Sequence, residues 1–238
     1  MPETPGTGRD IVRVGAKIMS IFPRIAGQIT DYDIIVVGHL RWNRYFGESA
    51  ANPPRGLPMT CTSTLIRGMD REGRPFVLIV DPTMRETASD YYFDLNRRTG
   101  LHAADVTHCY VTHDHLDHEA GLNYFPRAIW LAATPVAEAL RSSEHIPGAH
   151  VTAVEGEFLP GLYALSLPGH TTSLHGLAFI YRGKKIVIAG DAVMTRNHLW
   201  HNTCEFAQDD ALAAQTILSL KENADLIIPG HDNLVVVR

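Results

Sequence analysis

Four apolar runs in this 238-residue chain each end on a residue able to hold a metal, and this repeated strand-then-ligand pattern constrains the fold more than any other feature. Val106 to Val111 leads into Thr112-His113-Asp114-His115-Leu116-Asp117-His118. Leu162 to Leu167 leads into Pro168-Gly169-His170, Lys185 to Ala189 into Gly190-Asp191, and Leu226 to Ile228 into Pro229-Gly230-His231. Each fragment places a side chain at a strand end, where a turn aims it off the sheet.

Within the first cluster the spacing carries chemistry. In an extended chain alternate side chains share a direction, so His113 and His115 are expected to grip one ion while Asp117 points into the same cavity. A turn after Asp117 would swing His118 inward beside it. Neutral imidazole and carboxylate suit zinc and neighbouring transition metals.

The HxHxDH motif at His113, His115, Asp117 and His118, followed by His170, Asp191 and His231 in that order, resembles the metallo-β-lactamase superfamily. The resemblance runs from about Ile34 to Val237. It implies an α/β (α+β) four-layer αβ/βα sandwich, two mixed β-sheets flanked by helices, with two metals at one edge of the sheets. It further implies that His113, His115 and His170 hold one metal, that Asp117, His118 and His231 hold the second, and that Asp191 bridges them. The expected cofactors are two divalent ions, zinc by default, with manganese, iron or cobalt also suited to these donors.

The remaining pattern fits that architecture. Strands are read at Ile34 to Gly38, Thr62 to Arg67, Phe76 to Val80, Ala128 to Ala132 and Leu177 to Tyr181. Helices are read at Arg85 to Arg98, with Gly100 as its stop, near Glu119 to Phe125, from Pro135 to Arg141, and from about Asp209 to Glu222. Arg182-Gly183-Lys184 is expected to turn a hairpin. Residues 1–10 read as a flexible tail and residues 11–238 as a single domain.

Composition narrows the function. No apolar stretch reaches the ~20 residues of a membrane span, and the N-terminus lacks an export pattern, so a cytoplasmic protein is expected. Three separated cysteines indicate neither a disulfide framework nor a thiolate zinc knuckle. A formal charge of −5 favours a small-molecule substrate over nucleic acid.

The expected reaction is hydrolysis of a small lactone or ester. A phosphodiesterase or endoribonuclease is the second reading, because the same two metals stabilise attack at phosphorus and small superfamily proteins linked to RNA processing are similar in length. A non-catalytic metal-binding module is the third. In ligand spacing the chain looks like N-acyl homoserine lactonases, although Met194 stands where they usually place a Tyr beyond the bridging Asp.

Asp117 and either His198 or His201 are expected to handle protons, with His175 as a supporting residue. Arg41-Trp42-Asn43-Arg44-Tyr45-Phe46 reads as a lid contacting an acyl or anionic group, and equally as a packing or dimer segment; exposed aromatic loops make a homodimer reasonable.

Overall fold

The computed structural model describes residues 28–53, 59–146 and 150–238; the expected tail at residues 1–10 lies outside them. The first sheet has six strands in sequence order: β1 Ile29–Val36, β2 Ser63–Met69, β3 Pro75–Val80, β4 His108–Val111, β5 Ile129–Ala133 and β6 Val151–Val154. Its first three strands are antiparallel neighbours, and β3 through β6 run parallel. The second sheet runs β7 Glu157–Leu159, β8 Leu162–Ser166, β9 His175–Tyr181, β10 Lys184–Gly190, β11 Leu226–Pro229 and β12 Val235–Val236. Only β10 and β11 are parallel there, so both sheets are mixed.

Alternation along the strands explains why the sheets stack. In β3, Leu78 and Val80 face inward while Ile79 faces outward; in β10, Ile186 and Ile188 face inward while Val187 and Ala189 face outward. The inward set joins Ile66, Tyr110, Leu177, Phe179 and Ile228 in one core between the sheets. Strands apolar on both faces need cover on both, and helices supply it.

The helices are α1 Ala88–Thr99, α2 Leu116–Glu119, α3 Thr134–Leu140, α4 Arg196–His201 and α5 Asp210–Asn223. Tyr91 and Leu95 of α1 and Val136, Ala137 and Leu140 of α3 pack on the outer face of the first sheet; Ile217 and Leu220 of α5 pack on the second. The result is the four-layer αβ/βα sandwich. Thr87 and Asp90 form a capping box at the start of α1, and Gly100 ends it in the left-handed conformation, as its place in the sequence suggests. Arg182 and Gly183, both at positive φ, make the two-residue hairpin turn between β9 and β10.

Among the described residues three strands and one α-helix have no counterpart in the sequence reading: β6, β7, β12 and α4. The three strands have two to four residues each, too short for a period to register. The helix expected at Glu119 to Phe125 starts earlier, as the α2 turn, and continues as a 3-10 turn through Ala120–Tyr124. The strand before it stops at Val111 and Thr112 to Asp114 form a bend, so His113 and His115 do not lie on one extended run. Asp117 therefore reaches the cavity from a helical turn, and strand alternation does not aim it. Gly121, just behind, touches the Pro82 carbonyl so closely that a Cβ would collide with it, which fixes this turn against the end of β3.

No helix among the described residues is long and apolar enough to cross a membrane.

Candidate metal centre

The carboxyl ends of β4, β8, β10 and β11 deliver every expected ligand to one rim of the sandwich. Seven side chains converge there as two groups: His113, His115, His170 and Asp191 in one, Asp117, His118 and His231 in the other. In each group the candidate ligand atoms lie within 4.8 Å of one another. All are buried except His115, which is exposed at the cavity wall.

In the first group, His115 Nδ1 stands 2.9 Å from His113 Nε2 and 3.1 Å from His170 Nε2. Asp191 Oδ2 is 3.5 Å from His170 Nε2 and 3.9 Å from His113 Nε2. In the second, Asp117 Oδ2 lies 3.6 Å from His231 Nε2 and 3.8 Å from His118 Nε2. Asp191 reaches this group too, its Oδ1 being 3.2 Å from both His118 Nε2 and His231 Nε2. One carboxylate thus presents an oxygen to each group. Donors around a tetrahedral ion with bonds of about 2.0–2.1 Å stand roughly 3.3 Å apart, so this set fits divalent cations. Asp117 Oδ2, His118 Nε2 and Asp191 Oδ1 are buried without a hydrogen bond, which polar atoms tolerate where a cation is their partner.

The other ring nitrogens explain why the donors point inward. His113 Nδ1 lies 3.1 Å from Thr112 Oγ1, His118 Nδ1 2.9 Å from Asp81 Oδ2, His170 Nδ1 3.3 Å from the Glu205 carbonyl, and His231 Nδ1 3.0 Å from the Thr60 carbonyl. Carbonyls and carboxylates only accept, so Nδ1 of His118, His170 and His231 carries the proton and donates it. A ring held this way turns its Nε2 lone pair to the metal position.

Asp81 is the most heavily used of these supports and is not among the residues expected from the sequence, where it precedes Pro82 at the end of an apolar run. It also accepts from the Thr112 amide at 2.8 Å and the Thr112 hydroxyl at 2.8 Å, and sits at φ 49°, a conformation uncommon outside glycine. A short polar residue at a strand end before Pro is the one signal that marked it.

Charge balance within the cluster is tight. Burial alone would raise the Asp191 carboxyl, but His231 and His118 outweigh it and hold the group well below the usual carboxylate range. Burial pulls His118 down, and Cys61 with Asp191, Asp81 and Asp117 overcomes that and raises it well above the ordinary imidazole value. His231 is raised against burial, chiefly by Asp191. Burial, aided by His118, lowers His113, and burial lowers His170.

The cavity beside the cluster has a volume of about 250 Å³. His115, Asp117, His170, Asp191 and His231 line it together with Leu40, Arg41, Trp42, Met59, Met194 and Phe206. The segment read as a lid divides. Arg41 and Trp42 line the cavity, with the Trp42 ring edge-on to Phe206 at 6.0 Å. Arg44 and Tyr45 turn away, Arg44 to Glu205 at 3.4 Å and the Tyr45 hydroxyl to Thr203 at 2.6 Å.

The structure brings neither His198 nor His201 to the cavity. His198 is fully buried, with Nδ1 2.8 Å from Thr195 Oγ1, and burial, reinforced by Arg44, lowers it to about 4. It is then neutral near pH 7 and a poor acid. His201 is exposed under Tyr45, with Nδ1 bonded to the Asn197 carbonyl. Both lie on α4, a helix the sequence reading did not contain, and its direction carries them away. His175, at the start of β9, donates from Nδ1 to the Ser173 carbonyl and lines a separate cavity.

Comparison with known proteins agrees with this geometry. The sequence model of the metallo-β-lactamase superfamily matches residues 56–231. Metallo-beta-lactamase domain-containing protein 1 of Xenopus laevis is 29% identical over 178 residues, covering 71% of this chain and 69% of that protein. Among solved structures, a metallo-β-lactamase candidate from Thermotoga maritima superposes with a TM-score of 0.63 at 17% identity, over 88% of this chain and all of that one. An N-acyl homoserine lactone hydrolase with the product N-hexanoyl-L-homoserine at its catalytic metal center gives a TM-score of 0.61 at 20% identity, over 82% of this chain and 89% of its own.

Two outcomes follow from the site. With His118 and His231 raised, the metal-free cluster holds extra protons near neutral pH, and a cation must displace them. Apparent zinc affinity should therefore rise with pH through the neutral range, with net release of protons on binding; calorimetric titration in buffers of different ionisation enthalpy reads this directly. Gly230→Ala should cost roughly 10–100-fold in metal affinity while the circular dichroism of the fold persists, because its Cβ would land on Asp191 Oδ1.

Proposed function

This chain belongs to the metallo-β-lactamase superfamily of metallo-hydrolases, and on that premise we propose that it hydrolyses a small lactone or ester with the aid of two divalent cations. The observation that carries the proposal is the complete donor set around Asp191, opening onto a small, mostly apolar cavity. His113, His115 and His170 would hold one cation and Asp117, His118 and His231 the other, with Asp191 offering an oxygen to each group. Zinc is the first choice for these donors, with manganese, iron and cobalt admissible. When bound, such cations lower the pKa of water toward neutrality and draw electron density from an acyl oxygen.

The chain's own residues do the rest. Thr112, Asp81, Thr60 and the Glu205 carbonyl hold the imidazoles in place, so little reorganisation accompanies the reaction. Leu40, Trp42, Met59, Met194 and Phe206 receive the apolar part of the substrate and exclude water beside it. Water adds its oxygen to the acyl carbon, the acyl C–O bond breaks, and the departing alkoxide takes a proton. The buried Asp117 carboxylate, which lines the cavity, takes the proton that water releases and passes it to the alkoxide. In a lactone both products remain one molecule, a hydroxy acid, as in the product-bound homoserine lactone hydrolase of similar fold.

Asp117→Asn should lower kcat on a lactone panel by about 10²–10⁴-fold. Bis-aryl phosphodiester is assayed in parallel at matched metal content. Faster turnover of the phosphodiester, or lactone hydrolysis that survives strong chelation, contradicts the proposal.

A further inference from the structure

One cation in the cavity wall has no carboxylate counterpart among the described residues. Arg41 lines the same cavity as the metal cluster and is exposed. Its guanidinium carbon lies 5.5 Å from the centre of the Trp42 ring, and Trp42 is in turn braced edge-on by Phe206. Among the described residues no carboxylate pairs with Arg41. Its neighbour Arg44 differs in this respect, being engaged by Glu205 on the far side of the segment. The acidic side chains that share the cavity, Asp117 and Asp191, are the ones facing the histidines of the metal groups.

We propose that Arg41 is a specificity residue that binds a carboxylate of the substrate, so that the preferred substrate is a mono-anionic ester or lactone with an apolar body. This rests on the hydrolytic reading above and adds its substrate class. A guanidinium laid over an indole keeps the edge of its planar fork free, and that edge matches a carboxylate with two parallel N–H donors. Among the described residues the remaining walls, Leu40, Met59, Met194 and Phe206, offer no second cation, so a polyanion finds one described cationic contact here and a chain of net charge −5 around it. A single anionic group attached to a short apolar acyl or alcohol part satisfies both Arg41 and the walls within about 250 Å³.

The test compares the mono-p-nitrophenyl ester of glutaric acid with p-nitrophenyl pentanoate, matched in chain length, on zinc-loaded wild type, Arg41→Gln and Arg41→Lys. The calorimetric Kd values of glutaranilic acid and its uncharged counterpart, valeranilide, are measured on the same proteins. Wild type should favour the carboxylate ester through a lower KM. Arg41→Gln should lose roughly 10–100-fold in kcat/KM on that ester and in affinity for the acidic anilide, the range of a charge-assisted hydrogen bond. Its losses on the neutral ester and anilide should be several-fold smaller, and Arg41→Lys should recover part of the loss on the acidic ligands. Equal losses on both esters, or a wild-type preference for the neutral ester, overturn the assignment of Arg41 while leaving the hydrolytic function standing. Absence of turnover of either ester by zinc-loaded wild type instead overturns the functional reading and this assignment with it.

Discussion

A buried carboxylate flanked by imidazoles on both sides is the constraint around which the rim of this sandwich is built. Asp191 is only 3% exposed, and an ionised carboxylate removed from water costs several kcal/mol unless opposite charge compensates. Here His118 and His231 compensate on one oxygen, while His170 and His113 approach the other. Without metal the balance is kept by protons on the raised imidazoles. With metal, cations replace those protons in the same positions. The cluster is consistent with folding in either state and with reserving its donors for a cation.

The sheets explain how residues so distant in sequence arrive together. Parallel pairing of β3, β4 and β5 in one sheet, and of β10 and β11 in the other, sends several carboxyl ends to the same rim. Asp81, the Thr112–His118 segment, Asp191 and His231 leave the sheets at those ends. The inner core holds the two rims in register, and small residues permit close approach: the Gly230 amide bonds to the Gly190 carbonyl at 3.0 Å, joining the turns that carry His231 and Asp191. The metal geometry is thus a consequence of sheet packing more than of any one loop.

Much of this was legible in the sequence, for a physical reason. Strand-length apolar runs ending in His or Asp encode both the element and the direction of its ligand, while the four-layer architecture and the convergence of seven side chains are implied by the resemblance of the HxHxDH set to the metallo-β-lactamase superfamily. What stayed hidden depends on contacts between distant segments. Asp81 looks like a turn residue until His118 and Thr112 are seen to share it, and the Thr60 and Glu205 carbonyls that orient His231 and His170 carry no side-chain signature. His198 and His201 follow Asp191 closely enough to suggest a pocket wall, but the direction of α4 decides otherwise. The lid segment illustrates the same limit: sequence marked six residues, and packing against Thr203, Glu205 and Phe206 determines that Arg41 and Trp42 face the cavity.

The central claim is that Asp191 stands between two cation sites. Anomalous diffraction from zinc-soaked crystals, collected on both sides of the zinc absorption edge, tests it most directly. The account predicts two peaks, one among His113, His115 and His170 and one among Asp117, His118 and His231, each next to an Asp191 oxygen. A map with no peak in this cavity under full zinc loading, or with a single ion remote from Asp191, would contradict it.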